Sequence, residues 1–190
     1  MSSLATRTTP YLSPTPRRAP TAAADVVAEL PAIRRVTARR LVSAAQRLAE
    51  QRSIWTPLVS WSPDERLAVR VGSTATYEAW LLTWLPGQST GLHDHGGSNG
   101  AFVVVEGALE EATLAPPRRD QPAALVHRTL GAGRTRSFGP HHVHEVSCRG
   151  AVPAVSLHLY GPALASMRRY LLDDDGRAVI VARERAGVDW

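Results

Sequence analysis

The spacing of apolar residues changes near residue 66 and divides the chain into a helical part followed by a sheet part. Between residues 22 and 55 apolar side chains recur every three or four positions with arginines between them, the pattern of amphipathic helices, and Pro31 separates a short helix from a longer one. From Leu67 onward short apolar runs alternate with Gly, Pro or Asp turns, which is typical of strands. These runs occupy residues 67–71, 77–85, 101–106, 109–115, 125–130, 135–138, 142–147 and 153–160. Short strands without intervening helices predict an antiparallel barrel or sandwich, a mainly β fold.

The two ends of the chain have patterns of their own. Residues 1–21 include prolines at positions 10, 14, 16 and 20 and predict a disordered or extended leader. After Pro162 the pattern predicts a brief helix over 163–171, an acidic turn before Gly176 and a last strand at 179–181. We therefore expect a single domain over residues 22–190, with N-terminal helices at 22–55 packed outside a β-barrel core at 66–162.

Composition and charge exclude several classes of function. The net charge is +5 and all 22 basic residues are arginine, but they are dispersed and no basic stripe interleaved with aromatic residues is present, so no nucleic-acid partner is predicted. No apolar run is long enough to span a bilayer, and no membrane partner is expected. Cys148 is the single cysteine, which excludes an internal disulfide and favours a reducing, cytoplasmic location.

Two histidines near the middle of the chain are the strongest candidates for chemistry. His93 and His95 are two positions apart, so on an extended strand their side chains leave the same face and can reach one point inside a barrel. Neutral imidazoles suit a divalent iron, copper, zinc or nickel ion. A third ligand must come from elsewhere in the chain, and the cluster of His141, His142 and His144 offers it. His142 and His144 share a face of a regular strand, and His141 faces away.

The residues around His93 resemble the first motif of the cupins, a superfamily of double-stranded β-helix or jelly-roll barrels. The chain has the spacing of that motif: Gly87, then five residues, the His-Asp-His triplet at 93–95, four residues, Gly100, six residues and Gly107. The difference is Gly100, which stands where cupins carry an acidic ligand. The resemblance therefore implies a jelly-roll barrel whose metal site has lost its carboxylate.

A second stretch resembles the second cupin motif more loosely. Gly133 begins the spacing, which leads to His144 and then to Cys148 at the position of the motif's asparagine. Gly139 and His141 replace the motif's proline and glycine. The resemblance implies that His93, His95 and His144 bind the metal, with His142 beside the site and as the alternative ligand.

A site of three histidines is similar to that of the thiol dioxygenases among the cupins, of which cysteine dioxygenase is the best known. These enzymes carry a Ser-x-His-x-Tyr segment after the third ligand, and Ser156, His158 and Tyr160 match it. Strand alternation places the three side chains on one face, where buried polar groups require partners. The resemblance covers roughly residues 66–165. It implies Fe(II), dioxygen and a small thiol, with L-cysteine oxidised to cysteine sulfinate.

The resemblance also implies roles for individual residues. Tyr160 would donate its hydroxyl beside the substrate or dioxygen, with its orientation held by His158, and His158 held by Ser156. A strand arginine binds the substrate carboxylate in cysteine dioxygenases, and Arg70 is the matching position, with Arg66 as the alternative and an ordinary surface arginine as the competing interpretation. Gly100 occupies the position of the cysteine that crosslinks to the tyrosine in mammalian-type enzymes, so no thioether is expected.

Two other functions remain open at this point. Dioxygenases for 3-mercaptopropionate typically carry glutamine in place of the strand arginine, so Arg70 favours cysteine over that thiol or another small thiol. A non-catalytic cupin that binds a metal or small ligand is the alternative from another class. We expect a monomer or a weak homodimer.

Overall fold

The computed structural model describes residues 30–114 and 124–189. The predicted leader at 1–21 and the start of the predicted helical region lie outside the described residues. The described chain has two α-helices, α1 (Ala38–Glu50) and α2 (Arg52–Trp55), a 3-10 turn at Thr56–Leu58 and eleven strands. The strands are β1 (Leu67–Ser73), β2 (Glu78–Trp84), β3 (Leu92–His93), β4 (Asn99–Glu106), β5 (Ala108–Leu114), β6 (Leu125–Gly131), β7 (Thr135–Phe138), β8 (His144–Ser147), β9 (Ala154–Gly161), β10 (Ser166–Leu172) and β11 (Ala178–Arg185). Within the described ranges no helix has the length and apolar character needed to cross a membrane.

The strands form two antiparallel sheets that face each other. One sheet has the order β1-β2-β9-β4-β7 and the other the order β11-β10-β3-β8-β5-β6. Side chains from both sheets, among them Trp84, Phe102 and Val146, meet in one core between them. This double-layered arrangement is a cupin jelly roll, and the predicted fold class is confirmed.

The N-terminal helix covers the outer face of the five-stranded sheet. Its apolar face buries Leu41, Ala44, Ala45 and Leu48. They pack in a second core with Val155, Leu157 and Leu159 of β9. The helix begins after Thr37, whose extended backbone breaks the helical pattern and whose side chain accepts a hydrogen bond from the Arg40 amide over 3.3 Å. Of the predicted helical region, residues 30–37 are not helical, and residues 22–29 lie outside the described residues.

Successive side chains of β9 point to opposite faces of the sheet, and so alternately to the core under the helix and to the core between the sheets. Val155, Leu157 and Leu159 point towards the helix, whereas Ala154 and Tyr160 belong to the core between the sheets. Ser156 and His158 share the parity of Tyr160 and are buried as well. The predicted face of Ser156, His158 and Tyr160 is therefore the face that lines the interior.

All eight predicted strands are present, but the helix predicted over 163–171 is wrong. Residues 166–172 form β10, which pairs with β11 on one side and with β3 on the other. Arginine, leucine and methionine favour a helix locally, but the backbone hydrogen bonds offered by two neighbouring strands outweigh that preference. The sheet consequently extends past the predicted barrel end at residue 162 to Arg185.

Candidate metal centre

Three buried histidines converge between the two sheets. His93 ends β3, His144 begins β8 directly opposite it in the ladder, and His95 lies two residues beyond the end of β3. The ring centroids are 4.8 Å apart for His93 and His95, 4.9 Å for His93 and His144, and 5.1 Å for His95 and His144. One ring nitrogen from each lies within 4.8 Å of the others, which is a spacing that a single metal ion can bridge.

Hydrogen bonds orient two of these rings. Nδ1 of His93 lies 3.0 Å from the carbonyl oxygen of Gly91, and Nδ1 of His144 lies 2.9 Å from Oε1 of Glu111. An acceptor at Nδ1 places the proton of a neutral imidazole there and leaves Nε2 with its lone pair for a metal. Both ring nitrogens of His95 are buried with no hydrogen-bond partner in the described chain. Buried polar atoms without partners are rare in proteins, and a metal ligand is the chemistry that this donor set fits.

The electrostatic environment keeps the three imidazoles neutral. Burial, together with the neighbouring histidines, lowers the pKa of His93 and of His95 well below the ordinary value. Burial also lowers the pKa of His144, although the hydrogen bond to Glu111 acts in the opposite direction. Neutral imidazole is the form that binds a metal, so no proton has to be displaced at neutral pH.

Glu111 completes the surroundings of His144 and was not predicted from the sequence. Its side chain is 1% exposed and accepts hydrogen bonds from Nδ1 of His144, from Nε2 of His142 at 3.4 Å and from Nε of Arg136. Burial alone would raise the pKa of Glu111, but these hydrogen bonds lower it below the ordinary value. The only sequence feature that could have indicated Glu111 is strand alternation, which places it on the same face as Leu109, a residue of the interior core.

His142 lies beside the three-histidine cluster. Its ring stacks on Phe138 at a centroid distance of 5.2 Å, lies 4.9 Å from the His144 centroid and reaches Glu111. Glu111, His142 and His144 form a second group whose ligand atoms are close enough for an ion, but its contacts are accounted for by the hydrogen bonds to Glu111. The cluster with His93 and His95 contains His144 and not His142.

A line of polar side chains lies on the inner face of β9. Nε1 of Trp84 donates to Oγ of Ser156 over 2.9 Å. That hydroxyl lies 2.8 Å from Nε2 of His158, and Nδ1 of His158 lies 3.3 Å from the hydroxyl of Tyr160. The Tyr160 ring stacks on His95 with centroids 5.1 Å apart. The line therefore runs from Trp84 to the edge of the histidine cluster.

Trp84 fixes one end of this line. An indole N–H can only donate, so the Ser156 oxygen accepts from Trp84, and its second lone pair and its proton are both available to Nε2 of His158. Burial lowers the pKa of His158 well below its ordinary value, so its ring is neutral and carries one proton. With that proton on Nδ1, His158 donates to the Tyr160 oxygen; with it on Nε2, the Tyr160 hydroxyl donates to Nδ1. Burial raises the pKa of Tyr160, so the phenol stays protonated at neutral pH.

The two candidate arginines have different environments. Arg70 is exposed on β1, an edge strand, opposite Trp80. Arg66 precedes β1, and its guanidinium carbon lies 5.0 Å from the centroid of the Trp84 ring. Its Nη1 is buried without a hydrogen-bond partner in the described ranges. Burial lowers the pKa of Arg66 to about 10, and the same pKa is raised by proximity to Tyr160.

These placements favour Arg66, the alternative, over the predicted Arg70. Motif spacing could not choose between them because it does not fix the length of the hairpin between β1 and β2. The register also shifts at a bulge between Arg70 and Gly72.

Gly100 stands at the position of the acidic ligand in the cupin motif and is closely packed. It is paired with Phe138 on one side and with Tyr160 on the other. A Cβ atom at this position would collide with the ring of Phe138. That ring also stacks on His95 with centroids 4.6 Å apart. The space that an acidic side chain would use is therefore filled by an aromatic ring.

The fold and the cluster together define a cupin-type barrel with a buried three-histidine site. The family model for cysteine dioxygenase type I matches residues 15–173, and the chain belongs to this family.

Individual relatives agree with that assignment. Cysteine dioxygenase type 1 of Danio rerio is 30% identical over 101 residues, which cover 50% of this chain and 49% of that protein. The Homo sapiens protein of the same name is 30% identical over 92 residues, 45% of each chain. The chain therefore spans about half the length of the curated relatives that it matches.

Several solved structures are similar to part of this chain. A Klebsiella pneumoniae protein described as having a double-stranded beta-helix domain has a TM-score of 0.47 and 21% identity, covering 56% of this chain and 85% of its own. Protein TT1209 of Thermus thermophilus has a TM-score of 0.44 and 24% identity, covering 57% and 93%.

Proposed function

We propose that this protein is an iron(II) thiol dioxygenase that oxidises L-cysteine to cysteine sulfinate with dioxygen. The observation that carries the proposal is the buried convergence of three neutral imidazoles, one of which has no hydrogen-bond partner in the described chain, next to the line that ends at Tyr160. Membership of the cysteine dioxygenase family supports the same reaction.

In this proposal His93, His95 and His144 hold the iron. Because none of them is anionic, the ion keeps its full charge, which favours a thiolate as the substrate's ligand. Iron(II), when bound there, supplies the redox chemistry by which both oxygen atoms of dioxygen are added to the sulfur. His142 supports Glu111 and does not bind the metal.

The remaining residues bind the substrate and hold protons. Arg66 binds the substrate carboxylate, since its buried Nη1 lacks a partner within the described residues and a guanidinium offers two parallel donors to a carboxylate. Tyr160 donates its hydroxyl proton to the bound substrate or to dioxygen. Ser156 and His158 keep the Tyr160 oxygen in place through their hydrogen bonds. The rings of Phe138, against His95, and of Phe102, against His158, give this side of the site an apolar lining that would limit the access of water.

Oxygen uptake and sulfinate formation test the proposal. Iron-loaded protein is assayed with cysteine and separately with 3-mercaptopropionate, which lacks the amine. We expect both activities, with the higher kcat/KM for cysteine. A higher value for 3-mercaptopropionate would support the alternative thiol, and no sulfinate from either would support a non-catalytic cupin.

A pair of arginine variants tests the carboxylate site. Arg66→Gln should lower kcat/KM for either thiol about 10- to 100-fold, the equivalent of one or two charge-assisted hydrogen bonds. Arg70→Gln is the matched control, because Arg70 is exposed on β1 and follows Arg66 closely in the chain, and it should retain the activity of the wild type. The reverse result would assign the carboxylate to Arg70.

A further inference from the structure

The residue between the two metal-binding histidines of the first motif is buried and faces away from them. Asp94 is 1% exposed. Its Oδ1 accepts hydrogen bonds from the amides of Gly96 at 3.2 Å and Arg168 at 3.1 Å. Its Oδ2 accepts from Nε of Arg168 at 2.6 Å and from the hydroxyl of Tyr170 at 2.8 Å. The Asp94 amide donates in turn to the carbonyl oxygen of Arg168 over 3.0 Å. One side chain thus ties this segment to β10.

The hydrogen bonds of Asp94 lie just beyond the point where the β3–β10 ladder ends. The ladder between β3 and β10 pairs Leu92 with Tyr170 and His93 with Arg169, and it stops there. Beyond His93 the chain turns through Gly96 and Gly97, which have φ values of +57° and +101°. The turn packs so closely on β10 that a Cβ at Gly96 would collide with Ser166. Asp94 therefore continues the attachment to β10 through the segment that carries His95.

His95 is the ligand that depends most on this attachment. The rings of His93 and His144 are oriented by hydrogen bonds at Nδ1, whereas His95 has none in the described ranges and its ring stacks between Phe138 and Tyr160. Stacking fixes the plane of a ring better than its position along that plane. The position of His95 must therefore come from its backbone.

We propose that Asp94 is a positioning residue that holds His95 in register with His93 and His144, so that the β10–β11 hairpin is part of the metal site. The inference rests on the metal site of the proposed function but not on its redox reaction. It explains why this carboxylate accepts hydrogen bonds on both oxygens, all of them from its own turn and from β10.

Metal affinity and local hydrogen exchange test this role. The probe is cobalt(II), titrated into the metal-free full chain in competition with a chelator, with Asp94→Asn compared with wild type. We expect the Kd to weaken about 10- to 100-fold, as for other residues that orient a metal ligand. In the metal-free protein we also expect faster amide exchange at residues 92–98 and unchanged exchange at 126–131. A residue that only stabilised the fold would leave the Kd of folded protein unchanged.

Asp173→Asn is the matched control. Asp173 also accepts two backbone amide hydrogen bonds, at 3.1 and 2.7 Å, but in the exposed turn at the far end of the same hairpin. It should bind cobalt(II) as the wild type does. If Asp94→Asn does not fold, the test is made with Tyr170→Phe, which removes one hydrogen-bond donor to the Asp94 carboxylate. A higher Kd for cobalt(II) supports the proposal, and an unchanged Kd overturns it.

The outcomes separate this inference from the proposed function. Folded Asp94→Asn with the Kd of wild type overturns the positioning role alone. Wild-type protein that binds cobalt(II) but forms no sulfinate contradicts the proposed reaction and leaves the positioning role standing. Wild-type protein that binds no metal overturns both.

Discussion

Replacing Glu111 with glutamine tests how the site around His144 is built. The carboxylate is almost completely buried and receives hydrogen bonds from His142, His144 and Arg136. Glutamine has nearly the same shape but offers one acceptor oxygen and turns an NH2 group towards a donor. The change therefore removes a buried charge and leaves the Arg136 guanidinium, whose side chain is 24% exposed, without its counter-ion.

The expected loss follows from the contacts. Breaking a buried ion pair by removing one partner destabilises a protein by about 3–5 kcal/mol. Because Arg136 retains partial access to water, we expect the lower end, about 3 kcal/mol, for the metal-free protein. The loss of the acceptor at Nδ1 of His144 should in addition weaken metal binding about 10- to 100-fold.

Denaturant unfolding of the metal-free protein and a chelator-competition titration measure the two effects separately. Glu110→Gln is the matched control, because Glu110 is the adjacent residue and its ion pairs are with His127 and Arg149, whose side chains are 45% and 61% exposed. Such surface pairs contribute about 0–1 kcal/mol, so this variant should resemble wild type in both assays. Equal stability and equal Kd for the Glu111 and Glu110 variants would refute the role assigned to Glu111.

Three further predictions concern other parts of the site. Gly100→Ala should destabilise the protein by about 1–3 kcal/mol in thermal or denaturant unfolding, because the added Cβ displaces the Phe138 ring; an unchanged midpoint would contradict the close packing. Tyr160→Phe should lower kcat about 100- to 10,000-fold while cobalt(II) affinity stays as in wild type, and full activity would remove this hydroxyl from the reaction. Lowering the pH should destabilise the metal-free protein, because the carboxylates of Asp94 and Glu111 become protonated. Burial acts to raise the pKa of Asp94 and of Glu111, but hydrogen bonds lower both below their ordinary values. Their stabilising effect is present above the unfolded pKa of about 4 and is lost as the pH falls below it, so unfolding free energies that stay constant from about pH 5 to 3 would contradict these shifts.

The sequence predicted the parts of the site that depend on local periodicity. His93 and His95 are two apart, as are Ser156, His158 and Tyr160, and a strand places such residues on one face whatever the rest of the fold does. The predicted strands follow from the same rule. The choice of His144 depended on the resemblance to the cupins, since spacing alone left His142 open.

The parts that were missed depend on contacts between distant segments. Glu111 reaches His144 because β5 lies next to β8, which periodicity within β5 does not reveal. Residues 166–172 have helix-forming side chains and form a strand because β3 and β11 offer backbone partners on both sides. Arg66 and Arg70 have the same parity in the sequence, and what distinguishes them is a contact with a distant residue: Arg66 precedes β1 and lies over the Trp84 ring, whereas Arg70 is exposed.

An anomalous-difference map at the iron absorption edge, from crystals of protein loaded with iron(II), tests the central claim most directly. The account predicts one peak enclosed by the rings of His93, His95 and His144. A peak between Glu111, His142 and His144, or no ordered iron at all, would contradict it.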